Sequence, residues 1–94
     1  MSHIIIENDN TWRLSGELSF ATVGALLTEF IQRAALKPPK VLDLCNVTRT
    51  DSAGLALLIE LRGLTKDASM NFRNIPEQMF KLAALSGVEN LVNG

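Results

Sequence analysis

Hydrophobic and polar positions change period several times along this chain, and each change marks an element. An apolar run at Ile4, Ile5 and Ile6 is followed by Asn8-Asp9-Asn10 and then by a mixed stretch from Thr11 to Ser15. The pattern predicts two short strands, over 4–7 and 11–15, joined as a hairpin because Asn and Asp tolerate the left-handed backbone of a tight reversal. Gly16-Glu17-Leu18-Ser19 reads as a connector with Ser19 as a helix N-cap, since Val23, Leu26, Leu27, Phe30, Ile31 and Ala34 then recur at helical spacing. That places a first helix over about 20–36.

Pro38-Pro39 cannot continue a helix, and the nearly all-apolar run 40–45 (KVLDLC) fits a central strand covered on both faces. A second helix is expected over 52–66, followed by a turn at Asp67-Ala68-Ser69. Met70 to Asn74 alternates like a strand with one buried face, and Pro76 suits the first turn of a third helix that ends near Ser86-Gly87. The tail Val88 to Val92 is expected to dock as a short final piece. The predicted order is β-β-α-β-α-β-α, an α/β fold built on a small mixed sheet with helices packed on it, in which strands joined through a helix lie parallel by right-handed crossovers.

Length and charge change this picture little but narrow the function. Ninety-four residues fit one domain with one core, 47% of them hydrophobic, and the formal net charge of −1 offers no sequence-independent grip on nucleic acid. One cysteine excludes an internal disulfide, which fits a reducing cytoplasm, and no apolar run approaches the length of a membrane span.

Catalytic chemistry finds little support. His3 sits among the first few residues, Cys45 reads as a small core thiol, and the glycines match neither GxGxxG nor GxxxxGK[ST]. Gly54 and Gly63 are better explained by the close approach of another backbone or helix. Asp43 and Asp51 are two carboxylates without a third ligand, so neither a metal nor any other cofactor is expected; a polar strand end and a helix-start acid account for them equally well. Ser52 differs by position. At a helix N-terminus a hydroxyl ordinarily serves as a cap, yet a phosphoryl group there would meet the favourable end of the helix dipole and carry about two negative charges to the surrounding surface. Cap and switch both remain open readings.

The segments RLSGELS (13–19), VLDLCNVTRTDSAGLALLIEL (41–61) and FKLAALSGVENLV (80–92) resemble, in order and spacing, the STAS domain of anti-sigma factor antagonists and certain transporter subunits. The most specific part is the D-S-x-G-L run after an apolar strand. The resemblance covers nearly the whole chain and implies one STAS domain over 1–94. It carries the family's phosphorylated hydroxyl onto Ser52. Within the family the sequence looks most similar to the MlaB-type subunits of the Mla phospholipid-transport ABC transporter. That likeness implies a non-enzymatic cytoplasmic accessory subunit that binds the transporter's ATPase, reaches its permease and the inner membrane only indirectly, and contacts no nucleic acid. The alternative is an anti-sigma factor antagonist whose partner is an anti-sigma factor kinase acting on Ser52.

Winding the second helix at about 100° per residue places Gly54, Leu57, Leu58, Leu61, Leu64 and Thr65 on one side, assigned to the sheet. Ser52, Leu55, Ile59, Arg62 and Lys66 fall on the other. The expected partner surface is therefore Thr50, Asp51 and Ser52 together with Leu55, Ile59 and Arg62, an apolar pair rimmed by cations.

Overall fold

The computed structural model describes residues 2–66 and 70–88. The predicted order holds: β1 (His3–Ile6), β2 (Thr11–Leu18), α1 (Val23–Ala34), β3 (Val41–Thr50), α2 (Ser52–Leu64), β4 (Asn71–Arg73) and α3 (Glu77–Leu85). The strands form one mixed sheet in the order β1-β2-β3-β4. β1 and β2 are antiparallel, whereas β2–β3 and β3–β4 are parallel, as strands joined through a helix require. The expected turn at 67–69 and the tail beyond Val88 lie outside the described residues.

The opening hairpin closes differently from its expected chemistry. Asn8 Oδ1 accepts the N–H groups of Asn10 (2.8 Å) and Thr11 (3.0 Å), so the side chain makes the turn. None of residues 8–10 has a positive φ.

β2 is longer than predicted. It runs through Gly16-Glu17-Leu18 because Gly16, at φ 96°, absorbs a register irregularity against β3 and lets the strand continue. β3 likewise extends past Cys45, through a polar second half to Thr50. It lies inside the sheet but is not covered on both faces. Leu42 and Leu44 enter the core, while Cys45 is exposed and Asp43 faces the other way, toward Arg73 of β4. The uninterrupted apolar appearance of KVLDLC conceals an alternation that Asp43 and Cys45 complete, so Cys45 is a surface thiol rather than a core one.

The core lies between the sheet and the helices. Trp12, Leu14 and Leu18 of β2 meet Leu26 and Phe30 of α1, with the Trp12 and Phe30 rings edge-to-face at 5.3 Å. From α2 come Leu55, Leu57, Leu58 and Leu61; Phe72 of β4 and Met79 of α3 complete the packing.

α1 begins later than expected, and Ser19 does not cap it. The Ser19 carbonyl accepts the N–H groups of Thr22 (2.9 Å) and Val23 (3.0 Å), forming a turn that holds Phe20 and Ala21 ahead of the helix. Thr22 locks that turn, its Oγ1 donating to Glu17 O at 2.7 Å and accepting from Ser19 N at 2.9 Å.

The two-sided reading of α2 fails. The helix packs on α1, α3 and β3, so its covered arc is wider than one face. Leu55 is only 5% exposed and belongs to the core. Leu64, assigned to the sheet, is 52% exposed. The side that remains open carries Ser52, Ala56, Glu60 and Gly63, at i, i+4, i+8 and i+11.

Candidate functional site

The start of α2 is fixed to the end of β2 by backbone and by close packing. Asp51 N–H donates to Leu18 O at 3.1 Å. Within the first turn of the helix, a Cβ on Gly54 would overlap Thr50 Oγ1 and approach Leu18 Cβ to 2.9 Å and Leu18 O to 3.2 Å. Backbone-to-side-chain contact this tight admits only glycine, as the sequence suggested for this position. Gly63, by contrast, has nothing within 4 Å of its would-be Cβ, so the same expectation does not hold there.

The cap is supplied by Asp51, not Ser52. Asp51 sits in extended backbone (φ −126°, ψ −166°) and its Oδ1 accepts from Ala53 N at 2.8 Å. Ser52 is the first helical residue, exposed, and its hydroxyl makes no hydrogen bond among the described residues. Thr50 is buried, with Oγ1 donating to Asp51 O at 3.2 Å. Arg49 is exposed beside a shallow recess of about 50 Å³ shared with Glu17, Ser19 and Asp51.

Of the six residues expected on one surface, the structure brings Thr50, Asp51 and Ser52 together and sends the other three elsewhere. Leu55 is in the core and Ile59 is partly buried against it. The Arg62 guanidinium lies over the Phe72 ring at 4.5 Å and donates to Met70 O at 3.1 Å. Leu55 and Ile59 are thus taken up by the core and Arg62 by Phe72 and Met70, so neither an apolar pair nor a cationic rim is presented beside Ser52.

Asp43 and Asp51 also serve separate purposes. Asp43 accepts from Arg73 (2.9 and 3.1 Å), from Asn74 Nδ2 (3.0 Å) and from Cys45 N (2.9 Å). Burial pushes its carboxyl pKa up, but the hydrogen bonds from Asn74, the Cys45 backbone and Arg73 outweigh this and hold it at about 2. Asn74 reaches Asp43 from a left-handed backbone (φ 57°), a conformation asparagine tolerates. Asp43 thus ties β3 to β4 from mid-strand. Among the described residues no three His, Cys, Asp or Glu side chains come together.

The pattern of the sequence also hid a second feature near Ser52. Phe20, held by the Ser19 turn, is 81% exposed. With Val23, Gly24 and Leu27 it forms one wall of an apolar cleft of about 340 Å³, whose other wall is Ala53, Ala56, Leu57 and Glu60 of α2. The signal available in sequence was the i, i+3, i+4, i+7 spacing of Ala53, Ala56, Leu57 and Glu60 on α2, small residues included, which a search for large apolar residues passes over.

The model of the family described as "Mlab, STAS domain" matches residues 7–93. The chain belongs to this STAS family. No curated protein matches it. Among solved structures, the STAS chain is similar to the anti-sigma factor antagonist SpoIIAA in its unphosphorylated form, with TM-score 0.69 and 13% identity over 90% of this chain and 83% of that one. It is also similar to two structures of Mglu: one at TM-score 0.57 and 24% identity, covering 81% of this chain and 20% of that one, and the native form at 0.53 and 27%, covering 79% and 22%. These likenesses show the STAS fold, whose members are generally regulatory or accessory domains working through protein–protein contacts.

Proposed function

We propose that this STAS chain acts as one non-enzymatic docking domain, a cytoplasmic accessory subunit that binds the ATPase of a phospholipid-transporting ABC transporter. The observation that carries the reading is the uncommitted Ser52 hydroxyl. Asp51 already satisfies the helix cap, so Ser52 is exposed at a rigid helix start and adds nothing the fold requires there. A spare polar group on a fixed element suits recognition. The neighbouring Asp51 carboxylate gives one oxygen to the Ala53 N–H and makes no hydrogen bond to the Ser52 hydroxyl, which favours contact over catalysis. The MlaB-type family model supports the choice of an ABC ATPase as partner. In this reading permease and membrane are reached only through the ATPase, and lipid does not touch the chain. No helix among the described residues is long and apolar enough to cross a membrane.

A second reading is favoured by the same exposed hydroxyl together with the fold shared with SpoIIAA: an anti-sigma factor antagonist switched by a kinase at Ser52. A phosphoryl group at this helix start is electrostatically tolerated by the fold and opposes an acidic partner. Affinity purification from native membranes followed by mass spectrometry decides between them. Co-purification of an ABC ATPase with its permease is expected; recovery of a serine kinase and a sigma factor instead overturns the transport reading.

A further inference from the structure

Gly24 lies in the second position of α1, exposed, and nothing stands within 4 Å of where its Cβ would be. Glycine inside a helix weakens it relative to alanine, and no contact within the described chain requires the missing side chain here. Gly54 has such a requirement; Gly24 does not. What the missing side chain does is keep the α1–α2 cleft open beside Phe20, a large apolar ring 81% exposed on its rim. The cleft follows two helix turns on the α2 wall, from Ala53 to Glu60, or about 10 Å at about 1.5 Å per residue, and on the other wall runs from the Phe20 turn along the first turn of α1 to Leu27. That length and the i, i+3, i+4, i+7 stripe of small and apolar residues on α2 match the ridge of a third helix laid into the groove between α2 and the start of α1. Its charge is one-sided as well. The apolar cleft carries the carboxylate of Glu60 at one end, and Glu60 forms no ion pair among the described residues.

From these observations we infer that the α1–α2 cleft receives an amphipathic helix of the partner ATPase, with about two turns of apolar side chains between Phe20 and Ala56 and a lysine or arginine set against Glu60. The inference rests on the ATPase reading and adds to it the shape and charge of the segment that docks. Phe20 acts as the apolar anchor at the Ser52 end, and the cation on the partner fixes which way its helix runs.

The test uses the full chain and the purified ATPase of the transporter from the same source. Gly24→Leu fills the cleft without touching the core; it is expected to unfold at or above the parent temperature and to bind the ATPase at least tenfold more weakly. Phe20→Ala is expected to lose roughly tenfold, and Glu60→Lys a similar amount, recovered by reversing the opposing charge on the ATPase. A photo-crosslinking residue at position 24 or 56 is expected to label one ATPase segment at helical spacing. If Gly24→Leu folds and binds like the parent, or the crosslinks fall on ATPase loops or on a second copy of this chain, the helix-in-cleft inference is overturned while ATPase binding stands. If the parent chain does not bind the ATPase at all, the transport reading falls and this inference with it.

Discussion

Asp43 and Asp51 are both acids on or just after β3, one between leucines and one between hydroxyl residues, and they stand in opposite situations. The chain surrounds Asp43 with Arg73, Asn74 and the Cys45 N–H, and each of its oxygens has a partner from within the fold. Asp51 spends one oxygen on Ala53 N–H and presents, immediately after itself, a serine the fold leaves alone. Where the chain supplies all the partners, a polar group serves stability. Where it does not, and the backbone beneath is rigid, the group is available to something outside.

The largest effect that sharpens this comparison is expected away from both acids. Leu55→Asp and Leu58→Asp each place a carboxylate in the core and should both unfold the domain, at a cost of about 4 kcal/mol or more. Thermal unfolding followed by circular dichroism checks this; a folded Leu55→Asp variant would restore the discarded docking surface. Next comes Asp43. Its folded pKa is lowered from 3.8 to about 2, so its contribution is fully present above about pH 4 and is lost as pH falls toward 2. A shift of this size corresponds to about 2 kcal/mol. Asp43→Asn should lower stability near neutral pH by about that much and flatten the pH dependence of the unfolding midpoint between pH 4 and pH 2.

At the open end the effects on stability shrink. Asp51→Ala removes the cap and should cost about 1 kcal/mol, measured by urea denaturation. Ser52→Ala should change stability by less than about 0.5 kcal/mol while weakening the partner complex. If instead Ser52→Ala destabilises the domain as much as Asp51→Ala and binding is unchanged, the contrast between the two ends collapses and Ser52 is structural.

The order of elements was legible because α1 and β4 carry clear periodicity and the apolar run of β1 is bounded by the Asn8-Asp9-Asn10 turn. The limits of β2 and β3 were not. Gly16 reads locally as a turn residue, and only the pairing with β3 converts it into a bulge inside a strand. Ser19 reads as a cap in sequence because nothing local shows that the turn it opens holds Phe20 and Ala21 ahead of the helix and leaves Thr22, with no side-chain cap hydrogen bond, at the N-cap position. The D-S pair marked the start of α2 but could not say which member caps the helix. The Leu55 error has a different origin. A helical wheel assumes one buried side, and nothing local to α2 reveals that α1 and α3 both flank it.

The contact of Gly54 with Thr50 and Leu18, together with the Asp51 N–H bond to Leu18 O, makes the end of β2 and the first turn of α2 a single mechanical unit. Charge arriving at Ser52 therefore has no slack to take up. The helix start cannot unwind or tilt away without opening the sheet, so a phosphate or a glutamate there changes the potential a partner meets and leaves the backbone where it was. Amide hydrogen exchange at Ala53, Gly54 and Leu55 is accordingly expected to be the same in Ser52→Glu as in the parent, even as binding changes. Faster exchange at these amides would mean that the region signals by loosening instead.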